Sequence, residues 1–147
     1  MLRALELARK AALAGEVPVG AVVVRGEEIL GEGRNRREEL QSPLGHGEIE
    51  ALEQACRRLG SWRLTGCQLY VTLEPCPMCA GAAVNARVER IIFGAEDPAA
   101  GCCGTAGNVL ALPGAFRPRV YRGFLEEDCR AVLREFFSGL RGHPPDQ

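Results

Sequence analysis

The sequence contains no apolar run approaching the roughly 20 residues that a membrane-spanning helix requires. Its first fourteen residues carry charges at Arg3, Glu6, Arg9 and Lys10, which argues against a secretory signal. A formal net charge of -1 gives no long-range attraction to polyanions, so any contact with nucleic acid must be local. We therefore expect a cytoplasmic protein that has no membrane partner.

Histidine is scarce, with 2 residues, whereas cysteine occurs 7 times. An odd number of cysteines does not suit a disulfide framework, and Cys76 and Cys79 form a C-x-x-C pair. Both features favour a reducing compartment. The other cysteines are expected to be structural, three in apolar core segments and two in a Gly-rich loop: Cys56, Cys67, Cys129, Cys102 and Cys103.

A chain of 147 residues corresponds to a single domain, here residues 1–147, that buries about 70% of its unfolded surface. With 46% hydrophobic and 25% charged residues, the composition is that of an ordinary globular protein. A chain of this size does not need a metal to replace a hydrophobic core. A metal bound by such a chain can therefore have a catalytic role.

Two short motifs bring together one imidazole, two thiolates and one carboxylate: His46-Gly47-Glu48 and Pro75-Cys76-Pro77-Met78-Cys79. Zinc prefers nitrogen and sulfur ligands, and catalytic zinc sites keep three protein ligands so that water can take the fourth position. His46, Cys76 and Cys79 supply three ligands. Glu48 is then left beside the metal, where it can take a proton from the bound water and return it to a substrate.

The spacing within each motif is compatible with one site. Cys76 and Cys79 are three residues apart, so both sulfurs lie on one face if they open a helix, whose N-terminus favours thiolates. His46 and Glu48 are two residues apart and would point to nearly opposite sides of a regular helix. Both can face one metal only if His46 lies at or just before the first turn.

Hydrophobic periodicity predicts alternating helices and strands after an initial helix and hairpin. Such an order predicts an α/β protein with a mixed five-stranded sheet and helices on both faces, a three-layer α/β/α sandwich. Residues 97–118 are expected to be irregular, with a short helix near Val109–Leu112. The predicted helices are Leu2–Ala14, His46–Leu59, Cys76–Arg87 and Leu125–Leu140, and the predicted strands are Val19–Val24, Ile29–Asn35, Gln68–Leu73, Val88–Phe93 and Val120–Arg122.

Five segments match one known family: Glu16–Val22, Gly31–Arg36, His46–Ile49, Leu69–Asn85 and Phe93–Asp97. Through them the chain, from about Leu2 to Arg141, resembles the bacterial tRNA-specific adenosine deaminases of the cytidine deaminase superfamily. The zinc motifs alone indicate only the superfamily. The long match around Pro75-Cys76, together with the Glu16–Val22 segment, narrows the resemblance to the tRNA enzymes.

The resemblance implies hydrolytic deamination of adenosine to inosine at the wobble position of a tRNA anticodon. Zinc-activated water would attack the flipped base, with Glu48 as the proton shuttle. It also implies that partners include the tRNA anticodon loop and a second copy of the chain. The substrate-binding residues implied in this way are Asn35, Val17, Gly47, Asp97 and Phe137, the last beside Phe136 on the final helix. A turn role satisfying its own backbone is the alternative for Asn35.

The sequence departs from the family pattern at several points. Gly47 replaces the usual Ala between the His and Glu, and Ser42-Pro43-Leu44 precedes the motif instead of Asp-Pro-Thr. The loop after Asp97 has an altered sequence through Gly104, and the tail beyond Arg141 is short and holds His143. These differences leave the chemistry intact and bear on tRNA affinity and substrate range.

Four alternatives to this interpretation differ in kind. A closed structural zinc site would need a fourth Cys or His ligand, and a redox pair would leave His46 and Glu48 unexplained. A deaminase of a free base or nucleoside, such as guanine or cytosine, would use the same zinc ligands. A catalytically silent nucleic-acid-binding subunit is disfavoured by the intact Glu48.

The predicted helix that starts at Cys76 is small and apolar on nearly every side, unlike a helix that covers one face of a sheet. We expect a homodimer whose interface covers this helix next to the zinc site, and expect Ala83→Arg to disrupt it. The alternative is that the final helix, Leu125–Leu140, covers it within one chain.

Overall fold

The computed structural model describes residues 1–141 and follows the predicted order of elements closely. The tail with His143 lies outside the described residues. The helices are α1 (Leu2–Leu13), α2 (Arg37–Leu40), α3 (Gly47–Leu59), α4 (Pro77–Asn85) and α5 (Glu126–Arg141), and a 3-10 turn spans Val109–Ala111. The strands are β1 (Gly20–Arg25), β2 (Glu28–Arg34), β3 (Gln68–Leu73), β4 (Arg90–Ala95) and β5 (Arg119–Tyr121).

The five strands form one mixed sheet in the order β2-β1-β3-β4-β5. Strand β1 is antiparallel to both of its neighbours, β2 and β3, whereas β3, β4 and β5 run parallel. This confirms the predicted five-stranded mixed sheet. Because β3 and β4 are parallel, the segments that follow Leu73 and Ala95 leave the sheet at the same edge, where ligand sites of α/β proteins usually lie.

Helices cover both faces of the sheet, which confirms the three-layer arrangement. On one face α1 and α5 pack together around a core that includes Leu5 and Cys129. On the other face α3 and α4 pack over the larger core, which contains Leu69 and Phe93. The alternative in which α5 covers α4 is therefore wrong, because the sheet lies between these two helices.

The helix α3 lies unusually close to β2, and glycines make this approach possible. A Cβ atom at Gly31 would lie 2.1 Å from the Ala51 carbonyl oxygen, and one at Gly33 would lie 2.1 Å from the Gly47 carbonyl oxygen. Such distances are far below van der Waals contact, so a side chain on either residue would push α3 away. The strand thereby fixes the start of α3.

The cysteines outside the C-x-x-C pair occupy structural positions. Cys67 and Cys129 are buried and Cys56 is half-buried, in line with the prediction for apolar segments. Cys103 is also buried, in the larger core, so this part of the Gly-rich loop packs more deeply than a surface loop. No disulfide occurs within residues 1–141, and no helix among them has the length and apolar character to cross a bilayer.

Candidate active site

The first half of the candidate site is the N-terminus of α3. His46 is the residue just before the helix and has an extended backbone, with φ -94° and ψ 143°. Glu48 lies in the first helical turn and is 4% exposed. The change of backbone direction at His46 lets two side chains only two residues apart approach the same point. The prediction that His46 lies at the edge of the helix is confirmed.

The second half is the N-terminus of α4. Cys76 precedes the helix with an extended backbone, and Pro77 occupies the first helical position, where its missing N–H is not needed. Cys79 is fully buried in the first turn. The helix begins one residue later than the sequence predicted, because Cys76 caps the helix instead of belonging to it.

The three proposed ligands converge. The Nδ1 atom of His46 lies 3.6 Å from the Cys76 sulfur and 3.5 Å from the Cys79 sulfur. All three atoms lie within 4.8 Å of one another, an arrangement that can hold a metal ion. His46 is 30 residues from Cys76 and 33 from Cys79 in the sequence, and the adjacent N-termini of α3 and α4 bring them together.

The four ionisable groups of the site have pKa values that are shifted from their ordinary values in different ways. A hydrogen bond with the Cys79 thiol lowers the pKa of Cys76 to about 4, and the same interaction raises the pKa of Cys79. A hydrogen bond with Cys76 raises the pKa of His46. Burial raises the pKa of Glu48 to about 7, so this carboxyl group can both accept and release a proton near neutral pH.

A cavity of about 170 Å³ opens onto these groups. Four of the five predicted substrate-binding residues line it, whereas Phe137 does not. Phe137 is 44% exposed on α5 and packs edge-to-face against Phe136 with ring centroids 5.3 Å apart. Its contact with substrate therefore stays a prediction. The lining residues are Val17, Val19, Asn35, Arg37, His46, Gly47, Glu48, Leu73, Glu74, Cys76, Asp97 and Ala100.

Asn35 combines a place in the cavity wall with a role in the backbone. Its side-chain Nδ2 donates to the Val17 carbonyl at 3.2 Å, and its Oδ1 accepts from the Arg37 N–H at 3.1 Å. The turn role that the sequence left open is thus present. An amide has two N–H donors and two acceptor lone pairs, so Asn35 can still form one donor and one acceptor contact with a substrate.

The opposite wall of the cavity is held by Glu74, which the sequence analysis missed. This carboxylate is 2% exposed and accepts hydrogen bonds from the backbone N–H groups of Asp97, Cys103 and Thr105 at 3.0–3.3 Å. Asp97 in turn accepts from the N–H of Ala99 and of Ala100 through Oδ1. The loop that departs from the family pattern is therefore fixed by carboxylates, and Asp97 shapes the wall on which it lies.

A second missed carboxylate, Glu16, fixes the other side of the site. It is 3% exposed and accepts from the backbone N–H groups of Glu38 and Glu39 at 3.0 Å and 2.8 Å. These contacts stabilise α2, the short helix that no sequence pattern indicated, and thereby place Arg37 at the cavity. Glu16 lies in a matched segment of the sequence, but its partners are 22 and 23 residues away, beyond any local pattern.

The fold and the site together define a deaminase with the cytidine deaminase fold. A family model described as MafB19-like deaminase matches residues 1–139. The tRNA-specific adenosine deaminase of Bacillus subtilis (strain 168) is 49% identical over 142 residues, covering 96% of this chain and 88% of that protein. The chain belongs to the family of tRNA-specific adenosine deaminases.

Comparison with solved structures shows that other deaminases share this fold. A structure from work on A-to-I editing by tRNA:A34 deaminases at the wobble position of transfer RNA superposes with a TM-score of 0.83 at 41% identity, covering 88% of this chain and 95% of that one. A guanine deaminase from Bacillus subtilis superposes with a TM-score of 0.64 at 31% identity, covering 99% and 94% of the two chains. Deaminases with different substrates thus share this architecture.

The role of Glu74 in holding the cavity wall can be tested by hydrogen exchange. Glu74→Gln replaces one acceptor oxygen by a donor, so we expect faster exchange at the amides of residues 97–105 and a loss of about 1–3 kcal/mol in the free energy of unfolding. The matched control is Glu16→Gln, which should loosen residues 38 and 39 and leave residues 97–105 protected. Unchanged exchange of residues 97–105 in Glu74→Gln would contradict the assignment.

Proposed function

We propose that this protein converts adenosine to inosine by hydrolysis at the wobble position of a tRNA anticodon. The observation that carries the proposal is the convergence of His46, Cys76 and Cys79 beside the buried Glu48 at one cavity. The substrate is supported by the relatives named as tRNA-specific adenosine deaminases. The reaction replaces the exocyclic amine of the base by oxygen and releases ammonia.

We propose zinc as the metal, because the donor set and its spacing fit that ion. With Zn–S near 2.3 Å and Zn–N near 2.0–2.1 Å, a tetrahedral ion holds its nitrogen and sulfur ligands about 3.6 Å apart. The His46 nitrogen lies 3.6 Å and 3.5 Å from the two sulfurs. When bound, zinc lowers the pKa of a coordinated water molecule and so makes a nucleophile available at neutral pH.

Glu48 is proposed as the proton carrier. Its burial favours the neutral form, which raises the pKa to about 7 and makes loss and gain of a proton nearly equal in free energy at physiological pH. A carboxyl group in this position can take a proton at the metal face of the cavity and deliver it to the ring nitrogen and then to the leaving amine. Glu48 is not needed as a metal ligand.

The walls of the cavity are proposed to orient the base. Val17 and Val19 offer apolar surface, and Asn35 keeps one free N–H donor and one free acceptor lone pair for the base edge. Arg37 lies exposed at the cavity, where its guanidinium suits a phosphate of a polynucleotide better than a neutral free base. We expect Gly47 and Asp97 to act through the shape of the wall.

The roles of ligand and proton carrier can be separated by two substitutions. Cys79→Ala should lose zinc, because one of three protein ligands is gone. Glu48→Ala should retain zinc and fold, yet lower kcat by a factor of about 10² to 10⁴, the usual contribution of general acid–base catalysis. Metal analysis and ammonia release measure both effects. Full zinc content in Cys79→Ala, or near-normal turnover in Glu48→Ala, would contradict the proposed roles.

The substrate can be tested by direct comparison. An anticodon stem-loop with adenosine at the wobble position should be deaminated far faster than free adenosine, guanine or cytosine, because single-stranded loop bases are the usual targets of specific RNA recognition. Inosine formation in the RNA and ammonia release from each free base should be measured on the same zinc-loaded protein. Equal or faster reaction of a free base would favour the alternative, a deaminase of free bases or nucleosides.

We also propose that the protein forms a homodimer in the cytoplasm, where its free thiols suit a reducing environment. On the outer side of α4, Gly81 and Ala82 are only half-buried within one chain. A groove of apolar character runs beside them, between Leu52 and Cys56 of α3 and Ala86 after α4. A second copy packing there in two-fold symmetry would cover this surface next to the candidate active site.

The prediction that Ala83→Arg would separate two copies of the chain is wrong. Ala83 is 0% exposed and lies in the core beneath α4, so Ala83→Arg would disrupt the monomer itself. Ala82→Arg on the outer side should instead yield folded monomers. Asn85→Arg, at an exposed position near the end of α4, is the control and should weaken the dimer less. Light scattering at micromolar concentration measures both, and a wild-type monomer would exclude the dimer.

A further inference from the structure

A second pocket lies away from the candidate active site, on the face of the sheet that carries α1 and α5. It has a volume of about 190 Å³ and is lined by Gln68, Tyr70, Arg90, Ile92, Tyr121 and Phe124. Side chains alternate along a strand, and the neighbours Leu69 and Ile91 point into the core beneath α3 and α4. The pocket lies near the start of β4, about 17 Å along that strand from the end at Ala95.

The pocket has aromatic walls that are open to solvent. Tyr121 is 47% exposed and Phe124 is 51% exposed, and Phe124 packs edge-to-face on Tyr70 with ring centroids 6.3 Å apart. The backbone around Phe124 is fixed, because its N–H donates to the Phe93 carbonyl at 3.2 Å. Exposed, fixed aromatic rings are the surfaces on which unpaired nucleotide bases stack.

One buried polar atom in the same pocket lacks a hydrogen-bond partner. The Nε atom of Arg90 is buried and, among the described residues, has no hydrogen-bond acceptor. It forms an ion pair with the Glu89 carboxylate at 3.8 Å, a separation too long for a hydrogen bond. A buried donor without an acceptor costs free energy, which an acceptor on a ligand would recover. Gln68 pairs with Arg90 across the sheet, and its Oε1 accepts a hydrogen bond from the Tyr70 hydroxyl at 3.5 Å. Its NH₂ group is a further donor for a base edge.

The rim of the pocket is basic. Arg119 and Arg117 are exposed on and just before β5, the edge strand of the sheet. Within residues 1–141 neither forms an ion pair, whereas Arg122 further along is paired with Glu96. From Phe116 to Phe124 the sequence contains three arginines and three aromatic residues. Unpaired guanidinium groups beside stacking surfaces suit an RNA backbone.

We propose that this pocket, together with Arg117 and Arg119, is a second RNA contact that binds an unstacked base of the substrate RNA. The choice of RNA rests on the proposed function. A second copy of the chain, paired along β5, is the other occupant to consider. It is disfavoured because the exposed arginines of two copies would be brought together, and charged side chains on an edge strand oppose such pairing.

The test compares binding of a full-length tRNA to wild type and to Tyr121→Ala/Phe124→Ala, by fluorescence anisotropy on zinc-loaded protein. We expect affinity to fall between about 5-fold and 100-fold, the range for losing one stacked base. Arg119→Ala leaves the aromatic walls intact and should weaken tRNA binding. It should also reduce the steepness with which log affinity falls against log salt concentration, by about one in the slope. The matched control is Trp62→Ala, which removes an exposed ring with its own stacked arginine, Arg63, elsewhere on the surface.

The two proposals can fail separately. If wild type binds tRNA through this surface but forms no inosine, the proposed function fails and the second RNA contact stands. If wild type forms inosine and both Tyr121→Ala/Phe124→Ala and Arg119→Ala bind tRNA as tightly as Trp62→Ala, the second contact is overturned. Unchanged tRNA affinity with a shifted sedimentation coefficient in Tyr121→Ala/Phe124→Ala would assign the surface to a second copy and likewise overturn it.

Discussion

The contact between the backbone of β2 and the first turn of α3 sets the geometry on which the rest of the site depends. Gly33 and Gly47 meet there without side chains, and a Cβ atom at Gly47 would lie only 3.0 Å from the Gly33 carbonyl. The Gly that stands here in place of the family's Ala therefore lies against closely packed backbone. The close approach fixes the helix start, and with it the directions of His46 and Glu48 toward the cysteines of α4.

The site contains three buried glutamates, whose roles differ according to the groups that contact each carboxyl. Glu16 and Glu74 each accept hydrogen bonds from two or more backbone N–H groups, so their charge is compensated and they hold loops in place. Glu48 lies equally deep, but burial dominates its electrostatics and raises its pKa to about 7. A carboxyl group with incomplete compensation is the one suited to moving a proton. Similar burial therefore serves two different purposes.

Helices and strands whose determinants lie within their own sequence were predicted well, and those that depend on distant residues were not. β3 and α3 were predicted to within one residue because apolar spacing and a terminal glycine mark them directly. α2 was missed because four exposed residues have no periodicity, and its stability comes from Glu16, more than 20 residues earlier. The buried side of α4 was also unpredictable, since a helix of small apolar residues carries no amphipathic signal, and Ala83 was consequently assigned to the wrong face.

The candidate metal site itself does not determine which base reacts. The three proposed ligands and Glu48 lie at two helix starts, and a guanine deaminase shares the fold with a TM-score of 0.64. Selectivity must therefore reside in the cavity walls, which are built from loops. One wall depends on Glu16 through Arg37, and the other depends on Glu74 through Asp97. These loops are held by buried carboxylates, whereas the start of α3 is fixed by the close contact of Gly33 and Gly47, so the wall shape and the position of His46 and Glu48 have separate determinants.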